Sequence, residues 1–481
     1  MGRKGAAAKK DKNLKAEESE KRGTVENLMD HREGAAGAKG EEYDKQIVSL
    51  TEAAAKIDPP HLIDHLVKAM RECLCGDDEL LSRYTDYFEE AFSGVAFPWV
   101  KMFKDAPLST LIDIPLSQIP TPLYKFSVDW IQQRQIEYLS DIVSWLCDRI
   151  LDNLAEGGDN VPASYRPRSQ AGHFVVLAMV LRCRPDSLVA VLPSLRDKDT
   201  YQGPDKLPLI VWMMAQASVG DLSTGLYSWM CNLLPLVSND KCCPQSLDLV
   251  LQLAEFILSR PEALTILVKG GGVMEGQRLV PLPSLEILLR LTFPAPSARV
   301  ETTKRFEAIY PLLKEVALSP ERAGGGRFAM KKLFSFALTL AGDKGNHVLL
   351  TKEATSIAIR TLTENIDCFD LWDKLYMDNP EVSVSLLKKL VDEWNSHFFR
   401  LSTSPSETLT DIVKQTIESF RRQNKRAIAE GGANCSLYKE ADEYCKLISW
   451  RLLRVSAMTA GVVTAASAAL SFAAVAASRY L

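Results

Sequence analysis

Apolar residues recur every three or four positions through most of this chain, the spacing of helices that bury one face. The spacing predicts a helix over 43–57 with Ile47, Leu50 and Ala54 inward, and a second over 61–75, after Pro59 and Pro60, with Leu62, Leu66 and Met70 inward. A third, over 77–92, turns in Leu80, Tyr84, Tyr87 and Phe88. A long amphipathic helix over 135–155 carries Leu139, Ile142, Trp145, Leu146, Ile150 and Leu154. Further helices are expected over 171–184, 185–195, 206–218, 221–237, 245–259, 282–291, 297–318, 327–341, 352–365, 380–399 and 406–429. Prolines cluster at or just before these starts, where a missing N–H costs little.

Strand-type alternation is scarce. Successive helices with short loops predict an all-α fold, a HEAT-like α-solenoid of antiparallel helices, although no strict internal repeat is visible. The stretch 96–124 breaks the pattern with Pro98, Pro107, Pro115, Pro120 and Pro122 among Phe97, Trp99, Met102 and Phe103. It reads as an ordered extended or short-helical excursion that lies over a helix layer or lines a groove. Residues 1–42 hold few large apolar groups and read as a disordered charged tail. The expected organisation is that tail, a helical body over 43–430, a juxtamembrane segment over 431–454 and a C-terminal transmembrane helix over 455–478.

The transmembrane expectation rests on Val455 to Ser478, about 24 residues without a charge, roughly 36 Å as a helix. The run is mostly Ala with Ser, Thr and Val, and Leu470 and Phe472 are its large apolar groups beside Met458. Alanine inserts near neutrally, so an Ala-rich helix buried in protein is the competing reading. A terminal helix apolar on every face needs lipid or a deep groove, and its position favours lipid. Val455, Gly461, Leu470, Phe472 and Ser478 mark the anchor. Small residues recur at Ala457, Gly461, Ala465, Ala469, Ala473 and Ala477. Such a stripe lets membrane helices pair, and also arises by chance in any Ala-rich helix, so self-association through the tail is one of two readings. Arg451 and Arg454 precede the run and Arg479 follows it, which favours a body on the cytosolic side. The Asn434-Cys435-Ser436 sequon then stays unmodified.

Composition changes the picture little. Hydrophobic residues make up 46% and charged residues 25% of 481, as in a folded soluble body. A net charge of -4 argues against a nucleic-acid binder. The 10 cysteines are scattered without paired CxxC motifs and read as reduced thiols.

Candidate chemistry is thin. His61 and His65 have the spacing of two ligands on a helix, but no third ligand is implied, and a polar helix face is the simpler reading. The glycine runs at 270–272 and 324–326 lack a following Lys-Ser/Thr and read as loops. No nucleophile elbow, kinase set or EF-hand loop is present, so neither catalysis nor a cofactor or metal is expected. Arg421, Arg422, Lys425 and Arg426 form a basic cluster: a contact for anionic headgroups, at roughly 1 kcal/mol per charge, or a solvated helix face.

Several long strings resemble the transmembrane protein 214 family: FPWVKMF at 97–103, IPLSQIP at 114–120, VDWI at 128–131, YQGPDKLP at 201–208, WMMAQASVGDLSTGL at 212–226, TFPAPSARVETTKRFEAIYPLLKEVAL at 292–318 and LWDKLYMDNPEVSVSLLKKLVDEW at 371–394. The layout is similar to plant members. The resemblance implies an endoplasmic-reticulum membrane protein with a large helical body and no catalytic residues to carry over. In animal members it implies a link to stress-induced apoptosis, with a procaspase held at that membrane. Two departures stand out. Gln118 occupies a position where the family often has His, and relatives are expected to continue to a second hydrophobic segment, which makes this chain a tail-anchored variant or a shortened sequence. The reading is therefore a membrane-anchored adaptor for a cytosolic protein partner, with a trafficking or coat-like scaffold as the alternative.

Overall fold

The computed structural model describes residues 48–72, 76–95, 99–156, 170–238, 243–269, 273, 277–319, 327–394, 407–431 and 434–454. The tail 1–42, the glycine runs 270–272 and 324–326, the anchor 455–478 and Arg479 lie outside the described residues. Regular structure among the described residues is helical, and β pairing is confined to an isolated bridge between Val48 and Val95. The all-α expectation holds. The chain divides into two compact units between residues 273 and 274.

Unit 1 contains α1 (Leu50–Ala55), α2 (Pro59–Glu72), α3 (Asp77–Ala91), α4 (Trp99–Asp105), α5 (Leu108–Leu111), α6 (Thr121–Gln132), α7 (Ile136–Glu156), α8 (Ala171–Cys183), α9 (Asp186–Asp197), α10 (Leu207–Gly220), α11 (Leu222–Ser228), α12 (Leu234–Val237), α13 (Pro244–Leu258) and α14 (Ala263–Lys269). Its centre is α8 and α10. Every residue from Ala171 to Leu181 and from Leu209 to Ser218 is buried. These sequences carry no polar stripe, so both helices must be covered on all sides. In a two-layer stack each helix keeps a solvent face; α8 and α10 keep none. α3, α6, α7, α9 and α10 all pack on α8, and α13 packs on α10.

The proline-rich excursion supplies part of that cover. It folds as α4, α5 and a 3₁₀ turn at Leu116–Gln118, then enters α6 with Pro122 in its first turn. Trp99 stacks on Phe174 with ring centroids 3.5 Å apart, and Trp212 meets the same Phe174 edge-on at 5.2 Å. The excursion's turn carbonyls, which have no helix to satisfy them, are met by polar side chains from the core. Trp212 Nε1 donates to Leu111 and Ile114 carbonyls at 3.1 and 3.3 Å, and Gln216 Nε2 donates to Ile112 at 2.9 Å. Arg182 donates to the same Ile112 carbonyl and to Gln216 Oε1 at 2.7 Å.

Local rules explain the remaining boundaries. Asp221 caps α11 by accepting from the Ser223 and Thr224 amides. The helix expected over 221–237 runs on from Leu222 to Val237, but its backbone widens into a π turn over Trp229–Leu233 ahead of Pro235, which lacks an N–H and crowds the preceding turn. In α2 the buried stripe is Leu62, Leu66 and Ala69, leaving Met70 out: at 3.6 residues per turn a strict period of four drifts off the face. Tyr87 is half-buried and Trp145 is exposed, so neither points inward. Tyr87 lies between His61 and His65, whose ring centroids are 5.6 and 5.1 Å away, and Trp145 covers His173 edge-on at 5.7 Å.

Unit 2 contains α15 (Leu282–Thr292), α16 (Glu301–Leu318), α17 (Arg327–Gly342), α18 (Val348–Glu364), α19 (Asp367–Leu375), α20 (Pro380–Asp392), α21 (Glu407–Glu430) and α22 (residues 435–454). α17 and α18 form an antiparallel hairpin. Asn365 at the end of α18 donates to the carbonyl of Arg327 at the start of α17, 2.8 Å away. The buried Arg278 has carbonyls rather than carboxylates as hydrogen-bond acceptors, donating to Ala317 at 2.6 Å and Ala329 at 3.3 Å, and burial lowers its pKa to about 10. It thereby ties the last turn of α16 to the first turn of α17.

Two predictions follow for unit 1. A Cβ on Gly172 would sit 2.6 Å from the Phe88 carbonyl oxygen, whereas one on Gly94 meets nothing within 4 Å. Gly172→Ala is expected to cost about 1–3 kcal/mol by overpacking α8 against α3, and Gly94→Ala less than about 0.5 kcal/mol, read from urea midpoints. Burial holds the His173 imidazole below its ordinary value of 6.5, against the pull of Glu89 at 3.5 Å. The unfolded chain then binds a proton near that pH which the folded chain refuses, so stability falls as pH drops from about 7 to about 5.5. His173→Gln should lessen that fall; an unchanged pH slope would count against it.

Candidate membrane-proximal site

The described chain ends in α22, immediately before the uncharged run. α21 stops where Gly431 adopts φ +73°, the left-handed cap that glycine takes at no steric cost. α22 then buries Ala441, Cys445, Ile448 and Leu452, positions four, three and four apart, which is one helical face. Burial pushes the Cys445 thiol up to about 12, so it is an inert core group.

That face packs on a locked group of helices. Tyr376 of α19 stacks on Phe420 of α21 with centroids 3.9 Å apart, and its hydroxyl donates to Asn424 Oδ1 at 2.9 Å. Burial raises the Tyr376 phenol well above its ordinary range. Asp373 accepts from Ser419 at 3.1 Å and from Gln423 at 2.8 Å. Trp372 meets Phe420 edge-on and donates its Nε1–H to Ser383 of α20 at 3.2 Å.

Charged groups complete the attachment of α22. The largely buried Asp442 accepts from Arg421 at 3.4 Å and pairs with Lys446 at 3.0 Å. Hydrogen bonds to Glu443 and then Asp442 raise the Lys446 pKa. Arg451 turns toward the body, where its guanidinium donates to the Val391 carbonyl at the end of α20 and lies 5.8 Å from the Trp394 ring centroid.

The basic residues singled out in the sequence thus separate into two groups. Arg421 and Arg451 hold helices together. Arg422, Lys425 and Arg426 are exposed on α21, and Arg454 is exposed on α22 with its guanidinium 4.0 Å above the Trp450 ring. The anchor residues Val455, Gly461, Leu470, Phe472 and Ser478, with Arg479, lie outside the described residues. Three further residues had escaped the sequence reading: Leu447, Trp450 and Leu453, which are 44%, 51% and 61% exposed. Their spacing of three was visible in the sequence, but grouping 431–454 as a connecting segment hid it. Among the described residues no helix is long and apolar enough to cross a membrane, and no group of three or more metal-ligating side chains is assembled. His61 bonds Tyr87 Oη at 2.9 Å and His65 bonds the Arg83 carbonyl at 3.3 Å.

The separation is testable. Arg451→Ala should destabilise unit 2 by about 1–3 kcal/mol, because a charge-assisted bond to a buried carbonyl is lost, while Arg454→Ala should stay within about 0.5 kcal/mol. Urea denaturation of the two variants reads the difference; equal effects would contradict it.

Comparison with known proteins agrees with a membrane setting for relatives. A model of the family described as "TMEM214, C-terminal, caspase 4 activator" matches residues 4–464. Transmembrane protein 214-B of Xenopus laevis is 22% identical over 281 residues, 58% of this chain and 37% of the relative. Transmembrane protein 214 of Bos taurus is 22% identical over 417 residues, covering 84% and 55%, and that of Homo sapiens is 21% identical over 379 residues, covering 76% and 50%. The chain therefore spans between about a third and just over half the length of these curated relatives. No solved structure matches it.

Proposed function

This chain belongs to the transmembrane protein 214 family, and on that premise we propose that it is an endoplasmic-reticulum membrane-anchored helical adaptor that recruits a cytosolic protein partner in stress-induced cell death. The observation that carries this reading is the match of the family model, with its description as a caspase activator, over residues 4–464. That description supports a partner of the protease class and a link to apoptosis. The names of the relatives support a membrane location. The sequence supplies the means, an uncharged run from Val455 to Ser478 that directly follows the described part of α22.

The mechanism is localisation without catalysis. The helical body faces the cytosol and holds the partner at the bilayer. Confinement raises the partner's effective concentration there, and two recruited copies then meet far more often than in solution. Pairing of the tail through its small-residue stripe would bring two bodies together and strengthen the effect.

Removing residues 455–481 should move most of the protein from the membrane pellet to the soluble fraction, and protease added outside sealed microsomes should digest the body of the full chain. Retention of the truncated chain in carbonate-washed membranes, or a protected body, would refute the anchored, cytosol-facing reading. Proximity labelling in stressed cells should mark a protease; labelling confined to coat proteins would favour a trafficking scaffold.

A further inference from the structure

We propose that the outer face of the last two turns of α22, formed by Leu447, Trp450, Leu453 and Arg454, is seated in the headgroup zone of the bilayer and fixes the attitude of unit 2 at the membrane. This rests on the anchored reading above and adds a second, peripheral contact with lipid, made by the folded body itself.

The first observation is where the exposed apolar groups lie. At 100° per residue, positions 447, 450, 453 and 454 fall within an arc of about 120°, facing away from the buried Ala441, Cys445, Ile448 and Leu452. Leu447, Trp450 and Leu453 keep 44%, 51% and 61% of their surface open. Large apolar groups this exposed on consecutive turns are what an interaction surface presents.

The second is a change of character along that same face. Its first turns expose Lys439, Glu440, Glu443 and Lys446, a solvated surface. Large apolar side chains start only at Leu447 and continue to the point where the uncharged run begins. The apolar stretch is about 10 Å long at 1.5 Å per residue, close to the depth to which interfacial helices sink.

The third identifies lipid as the occupant. Tryptophan with a basic neighbour is the pair that settles at a membrane interface, the indole among acyl carbons and the cation among phosphates. Arg454 lies over the Trp450 ring and, among the described residues, is paired with no carboxylate, which leaves its charge for an anionic group. Lys446, at the polar edge of the patch, is already paired with Asp442 and Glu443, which leaves Arg454 as the patch's own cation. The chain continuing from this face is uncharged for about 24 residues, so the patch sits beside the segment with the strongest demand for lipid.

The consequence follows from how α22 is held. The Arg451 bond to Val391, the Arg421–Asp442 pair and the buried Ile448 and Leu452 attach it to α20 and α21. A membrane contact made by α22 therefore orients the helices around it, and unit 2 is not free to swing on a linker at that point.

The test uses the full chain reconstituted into phosphatidylcholine–phosphatidylserine vesicles whose acyl chains are brominated near the headgroup. The emission of Trp450 is obtained as the difference between the chain and its Trp450→Phe variant. It should be quenched roughly twofold or more relative to unbrominated vesicles, as for an interfacial indole. The variant Leu447→Glu/Leu453→Glu, which alters exposed positions only, should still float with the vesicles but lose that quenching and show several-fold faster amide exchange over 435–454. Vesicle-bound chain with an unquenched Trp450 overturns the proposal and leaves the anchored reading standing. Failure of the full chain to float overturns both. Shielding of Trp450 that depends on protein concentration and not on lipid would place a second copy on this face and likewise overturn the proposal.

Discussion

Two helices without a polar side impose the central constraint on unit 1. α8 and α10 bury nearly every residue, so water must be kept from them on all sides, and the surrounding chain is arranged to do so. The proline-rich excursion is the costliest part of that cover, because its short turns leave carbonyls that no helix satisfies. Trp212, Gln216 and Arg182 meet those carbonyls from inside the core. An unmet buried carbonyl would cost about 1–3 kcal/mol, so these three polar side chains are part of the packing.

Unit 2 solves a different problem. Its last helix has one apolar face for the body and, over its final turns, a second one that the described body does not cover. The inner face is secured by ordinary burial and by charges placed where they are useful: Asp442 between Arg421 and Lys446, and Arg451 on the free carbonyl at the end of α20. The outer face is left to whatever lies beside the uncharged run. That division makes α22 the part of the described body that lies next to the uncharged run in sequence.

No metal-ligating cluster is assembled among the described residues, and the strongly shifted thiols and phenols are raised by burial, which makes them less reactive. Family membership rests on a model that matches residues 4–464, over which most described helices bury an apolar face. Low identity with relatives is compatible with that, since packing tolerates exchange among apolar residues of similar volume.

Much of the fold was legible from periodicity. The boundaries of α8, α10, α13, α17 and α21 fall within one or two residues of expectation, because uninterrupted apolar spacing and first-turn prolines are local signals. α8 and α10 are apolar on every face and too short to span lipid, so they have to be buried. Other features were decided by tertiary contact. The short helices of the excursion and the placement of Trp145 over His173 depend on neighbours distant in sequence. The basic residues near the tail show the same limit most clearly. The sequence could count Arg421, Arg451 and Arg454 as cations near an apolar run, but a charge has no direction until a partner is placed. Folding brought Asp442 to Arg421 and the Val391 carbonyl to Arg451, and left Arg454 over Trp450 on the outside. Composition and spacing thus determined that the chain is helical and ends in an apolar tail; only packing decided which of its charges and indoles face outward.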